Sequence, residues 1–192
     1  MDGQNLSTII ITGPPGVGKT TLVRKIIASL LIAKPSLQGF YTEEIRDSVL
    51  RQRIGFDVVS LSGERGTLAR EAPKDNLRRP KVGKYSVFVQ EFENIALPLL
   101  DVKVSLQEPH LLVIDEVGKM ELLSKGFEIG MTSVLKNKQP MLVTIPEKSN
   151  LPLVEQLRKT PGSRIYQVTK SNRNTLADEI TNLITNSLLV IK

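Results

Sequence analysis

The chain has 192 residues, 26 basic against 20 acidic side chains for a formal net charge of +6, and no cysteine. Disulfides, thiolate zinc sites and a cysteine nucleophile are therefore excluded, which fits a reducing, cytoplasmic setting. The length suits a single α/β domain over 1–192 with a substantial core. No apolar run reaches the roughly 18 residues that a membrane span requires, and the first five residues, polar and not basic, do not read as a signal peptide.

In chain order, Ser7 to Ile11 reads as a short buried strand and Thr21 to Leu31 as a helix. Between them, Gly13-Pro14-Pro15-Gly16-Val17-Gly18-Lys19-Thr20 fits the pattern G-x-x-x-x-G-K-[ST]. In a strand–loop–helix setting the backbone N–H groups of such a loop converge on a triphosphate, and the helix dipole adds to the attraction. Lys19 would reach the β- and γ-phosphates. The Thr20 hydroxyl would hold a Mg²⁺ ion, and Thr21 closes the binding segment. A Gly-rich turn ahead of a helix is the purely structural alternative.

Leu37 to Ile45 and Arg53 to Leu61 read as two strands of a hairpin with its turn near Asp47 and Ser48. From Ser62 to Lys84 seven basic residues face three acidic ones, the composition of a solvated, mobile connection; a nucleic-acid surface is the sharper alternative, with only Tyr85 and Phe88 nearby for stacking. Lys84 to Val89 gives another short strand, and these pieces together make an antiparallel extension of a main sheet. Phe92, Ile95, Ala96, Leu99 and Leu100 share a helical face, with Pro98 near the first turn or at a kink.

Leu111-Leu112-Val113-Ile114-Asp115-Glu116 is an apolar run ending in two acids, as in a central parallel strand buried on both faces. Ligands in such sheets sit at the carboxyl ends of the strands, so Asp115 would emerge beside the phosphate loop and orient water on the magnesium. Glu116 would take a hydrogen bond from a water aimed at the γ-phosphorus. Met120 to Leu135 has the spacing of one long amphipathic helix, weakened by Gly126 and Gly130. Met141 to Ile145 is a buried strand, Asn150 a cap for a helix through Arg158, Arg164 to Val168 the final core strand, and Ser171 the cap of the last helix. Strands alternating with helices predict a three-layer α/β/α fold with a mainly parallel sheet. Strand order is not readable from the residues.

Several side chains have weaker claims. Thr144 ends a core strand where a hydroxyl would meet the γ-phosphate. Asn172 and Arg173 follow the last core strand at the rim expected for base and ribose. Arg46 or Arg53, near Glu43 and Glu44, or Lys119, would supply a cation to the transition state. His110, the only histidine, precedes the Asp115 strand at its far end and reads as structural.

The same motifs resemble the cancer-related nucleoside-triphosphatase family, whose microbial members are thermostable nucleoside-triphosphatases. The phosphate loop is shared with many unrelated proteins. The combination with Gly39-Phe40-Tyr41-Thr42-Glu43-Glu44-Ile45-Arg46, Arg53 to Val59, Val113 to Leu122, Thr144-Ile145-Pro146 and Val168 to Asn174 is far more specific and covers nearly the whole chain. The resemblance implies a small P-loop enzyme, its sheet related to RecA-like and kinase-like folds, that slowly hydrolyses several nucleoside triphosphates. It implies nucleotide contacts at Gly13 to Thr20 and around Leu111, Leu112, Val113, Ile114, Asp115, Glu116, Val117 and Gly118, with a catalytic glutamate beside the metal aspartate. Segment 71–79 departs from the family pattern, and no site is carried onto it. A monomer acting on nucleoside triphosphates with Mg²⁺ and no membrane is expected. The competing readings are a kinase that passes the γ-phosphate to a second substrate, the basic connection serving as lid, and a nucleotide-dependent RNA-binding protein.

Overall fold

A computed structural model describes residues 7–32, 36–75, 77–101 and 110–188. Among these residues nine strands form one mixed sheet: β1 (Thr8–Gly13), β2 (Ser36–Arg46), β3 (Arg53–Ser60), β4 (Arg65–Arg70), β5 (Lys81–Val82), β6 (Tyr85–Val87), β7 (His110–Asp115), β8 (Met141–Pro146) and β9 (Ser163–Gln167). Their spatial order is β5-β6-β4-β3-β2-β7-β8-β1-β9. The half from β2 to β9 is parallel and the half from β3 to β5 antiparallel. β2 belongs to both: Tyr41 pairs with Asp115 on one side and with Val59 on the other.

β1, β7 and β8 are buried, largely apolar runs because both faces are covered. β9, expected as a core strand, lies at the sheet edge with only Tyr166 buried. Ile9, Ile11, Leu111, Val113 and Leu142 point into a core shared with α1 (Lys19–Ile32) and α5 (Leu176–Leu183). Ile10, Leu112, Ile114 and Val143 point the other way, into a core shared with α2 (Val89–Ala96), α3 (Lys125–Lys136) and α4 (Pro152–Arg158). At the centre of this second core Phe40, Phe92 and Phe127 meet with ring centroids 5.2–5.9 Å apart, in edge-on and tilted arrangements that aromatic quadrupoles favour.

The basic connection differs from expectation. It contains β4 and β5, and four of its seven basic residues, Arg65, Arg70, Arg79 and Lys84, are in ion pairs among the described residues. Arg65 and Arg70 both pair with the buried Asp57 on β3, at 2.8 and 2.5 Å, and Lys84 pairs with Glu71. Only Leu68 and Ala69 of β4 are buried, so two apolar residues between arginines left no alternating pattern to read. The helix expected over 120–135 is also split. A single 3₁₀ turn (Glu121–Leu123) precedes Ser124, whose hydroxyl caps α3 by accepting from the Phe127 N–H and donates to Glu93 at 2.6 Å. Neither Asn150 nor Ser171 acts as the expected cap: Leu151 and Thr175 occupy those positions. α2 ends at Ala96, ahead of Pro98.

Candidate active site

β1 delivers the phosphate loop and α1 begins at Lys19, so the helix N-terminus opens onto the loop as anion binding requires. Gly13 has no alternative here, since a Cβ would lie 2.7 Å from the Val168 carbonyl oxygen of the neighbouring segment. Gly16 and Gly18 take φ of 74° and 108°, a left-handed backbone that costs little only without a side chain. Lys19, with a nearly buried side chain, donates to the Gly13 carbonyl at 3.1 Å, and its Nζ lies 3.6 Å from Glu116 Oε2.

Asp115 ends β7 and is 1 % exposed. Its Oδ1 accepts from the Thr144 hydroxyl near the end of the neighbouring β8. Oδ2 has no hydrogen-bond partner. Burial pushes the Asp115 carboxyl up to about 6, against the hydrogen bond from Thr144. A hidden carboxylate with one unused oxygen beside a threonine hydroxyl is the pair that a phosphate-bound magnesium recruits, the remaining positions being water and phosphate oxygen. The residues therefore fit Mg²⁺, although the described residues hold no group of three or more acidic, His or Cys ligands.

After Asp115 the chain turns back on itself. Val117 N–H bonds the Thr144 carbonyl at 2.9 Å, and Gly118 N–H donates to Glu121 Oε2 at 3.1 Å. A Cβ on Gly118 would approach Glu116 Oε1 to 2.8 Å and Glu121 Oε2 to 3.1 Å, so both carboxyls converge on this glycine. Glu121 is buried, and desolvation, reinforced by Glu116, pushes it up to about 8. Sequence reasoning left Glu121 without a role. An isolated glutamate at the start of a helical pattern carries no sign of the fold that buries it.

The other candidates fall into place unequally. Leu111, Leu112, Val113 and Ile114 are fully buried, so their part is to hold Asp115 in position. Arg173 reaches the phosphate loop: it donates to the Val17 carbonyl at 3.2 Å. Together with Gly18, Thr21, Lys25 and Asn174 it lines a small cleft of about 280 Å³. The Asn172 side chain is engaged in its own turn, accepting from the Thr169 N–H and donating to the Gln167 carbonyl. Arg46 and Arg53 share the carboxylate of Glu44. Lys119 is exposed at the mouth of a larger cleft of about 1090 Å³, which also takes in Lys19, Thr20 and Glu116. His110 starts β7, its Nδ1 3.2 Å from the Ser36 hydroxyl, away from this cleft.

A phosphate loop after β1 and two acids at and just past the end of β7 define a P-loop α/β fold, β8 lying between the two strands with the threonine that bonds Asp115. A family model described as NTPase matches residues 8–181, and the chain belongs to that family. It is 42% identical over 179 residues to a cancer-related nucleoside-triphosphatase homolog of Bos taurus, covering 90% of this chain and 93% of that one. It is likewise 42% identical over 173 residues to nucleoside-triphosphatase THEP1 of Thermotoga petrophila, covering 90% of this chain and 89% of that one. Among solved structures, THEP1 from Aquifex aeolicus superposes with a TM-score of 0.80 at 34% identity, over 92% of this chain and 98% of that one. A human cancer-related nucleoside triphosphatase also gives 0.80, at 41% identity, over 94% and 98%.

Proposed function

We propose that the chain is a Mg²⁺-dependent nucleoside-triphosphatase that hydrolyses ATP, GTP and other nucleoside triphosphates to diphosphate and phosphate, with slow turnover and broad base preference. It would act as a cytoplasmic, monomeric, single-domain enzyme. Among the described residues no helix is long and apolar enough to cross a membrane. The curated relatives bear the name nucleoside-triphosphatase.

The observation that carries this reading is the placement of Glu116 across the phosphate loop from Lys19, with Asp115 buried beneath. The loop N–H groups and Lys19 would hold the triphosphate and offset charge on the γ-phosphoryl oxygens. Thr20 and Asp115 would hold Mg²⁺, which when bound neutralises charge across the β- and γ-phosphates. Glu116 would orient the attacking water and accept its proton as the new O–P bond forms and the β–γ bridging P–O bond breaks. That proton then leaves with phosphate or to solvent. Thr144 fixes the Asp115 carboxylate, and Glu121 fixes the turn that carries Glu116. Broad base preference follows from the small, open Arg173 cleft, where a guanidinium plane would stack on any base.

Phosphate release from ATP, GTP, CTP and UTP, with and without Mg²⁺ and with no acceptor present, tests the reading. Magnesium-dependent release from all four is expected. Binding without release would overturn it.

A further inference from the structure

The two clefts meet at Gly18 and Thr21. The smaller faces Arg173, after β9 at one edge of the parallel half. The larger passes Lys19 and Glu116 and continues under the antiparallel half, beyond the end of the proposed triphosphate. Its outer lobe has an apolar floor of Phe56, Leu68, Val82 and Met120, of which Phe56, Val82 and Met120 are only half-buried.

The wall of this lobe is built and charged. The Arg53 guanidinium lies 5.1 Å from the Phe56 ring centroid and 5.9 Å from that of Tyr85. Its Nε donates to the Tyr85 hydroxyl at 3.1 Å, and Nη1 donates to Glu44 at 2.8 Å. Arg46 donates to the other oxygen of Glu44 at 2.5 Å and to the Arg51 carbonyl at 3.1 Å. Two guanidiniums therefore share one carboxylate, leaving a positive charge unmatched, and both stay open to solvent at 43 % and 55 % side-chain exposure. Lys119, which lines the same cleft, is in no ion pair among the described residues. Cations held by their own partners beside an apolar floor recognise a planar anion with little ordering left to do.

We propose that the outer lobe is a binding site for a second small ligand, a planar-ringed anion, seated beside the bound nucleotide. The ring lies on the apolar floor, and the anionic group takes hydrogen bonds from Arg46 and Arg53. The inference rests on the triphosphate occupying the phosphate loop as proposed above. A ligand held there adjoins the position assigned to the attacking water, so its presence bears on turnover directly.

The test uses the full chain saturated with Mg²⁺ and a non-hydrolysable ATP analogue, with phenyl phosphate as probe and ligand-observed NMR as readout. Phenyl phosphate is expected to bind with the analogue still in place, and inorganic phosphate and phenol each roughly tenfold more weakly. Arg46→Met and Arg53→Met are each expected to weaken the probe about fivefold or more while leaving analogue affinity unchanged. If Arg53→Met fails to fold, Arg46→Met, which touches only Glu44 and a backbone carbonyl, carries the test. Absence of binding, displacement of the analogue by the probe, or equal binding by the variants would overturn the proposal. Failure of the analogue itself to bind would overturn the nucleotide reading and this one with it.

Discussion

Lys19 Nζ lies 3.6 Å from Glu116 Oε2, a cation on the first turn of α1 facing a carboxylate one residue past β7. The two groups assigned to opposite ends of one chemical event, charge neutralisation and water activation, thus share a single gap. Removing either changes the other's surroundings as well as its own contribution. Lys19→Ala is expected to abolish turnover, since no other side chain of the loop carries a cation. Phosphate release at the wild-type rate would refute the site.

Glu116→Gln keeps the size and hydrogen-bonding reach of the side chain but loses its basicity. Nucleotide affinity should survive while single-turnover hydrolysis slows at least ~100-fold, the scale of a lost general base. Loss of binding instead would make Glu116 a metal ligand or a structural group.

Asp115→Asn and Thr144→Val act on one pair. The first removes the carboxylate that would hold magnesium; the second frees Asp115 Oδ1 from its hydrogen bond to β8. Half-maximal Mg²⁺ should rise in both, more in Asp115→Asn, as seen by titrating turnover against magnesium. An unchanged requirement in Asp115→Asn would count against its assignment.

Glu121 ties stability to pH. Folding raises it from an ordinary value of 4.5 to about 8, so the folded chain keeps a proton that the unfolded chain has released across that interval. Folding takes up this proton, and stability contributed by Glu121 falls as pH rises from about 4.5 through 8. Glu121→Gln preserves the acceptor for Gly118 N–H without the titration. Thermal melting of the variant without added nucleotide should match wild type near pH 4.5 and lie above it at pH 8. Parallel curves would show that the group does not titrate in this window.

Asp57 serves the antiparallel half. Asp57→Ala should cost about 1–3 kcal/mol by denaturant titration, because Arg65 and Arg70 lose their shared carboxylate yet remain partly hydrated. Nucleotide affinity should stay unchanged.

The parallel half was legible because its code is local. A glycine loop between strand and helix, and an apolar run ending in two acids, carry their roles within eight residues or fewer. The hairpin and the antiparallel extension were legible too, though β4 was hidden because its stability comes from charges paired across strands rather than from alternation. Glu121 and the Thr144–Asp115 hydrogen bond depend on strand order and on the turn at Gly118 beyond β7, neither of which any single segment encodes. The break at Ser124 was masked by helical spacing that continues across it: Met120 and Phe127 suit one helix face as well as two separate elements.

β2 pairs in parallel with the aspartate strand and in antiparallel with β3, and it is the one place where the sheet changes direction. Tyr41 sits opposite Asp115, while Glu43 and Glu44 lie just beyond it on the same strand. The hairpin that walls the cleft and the strand that ends in Asp115 are thus joined through one ribbon. A tilt of the hairpin about β2 would change the width of the gap over Glu116 while leaving every parallel pair intact. Residues exchanged at the hairpin tip, where Val49 and Leu50 face solvent, are therefore free to retune access to the chemistry without rebuilding it.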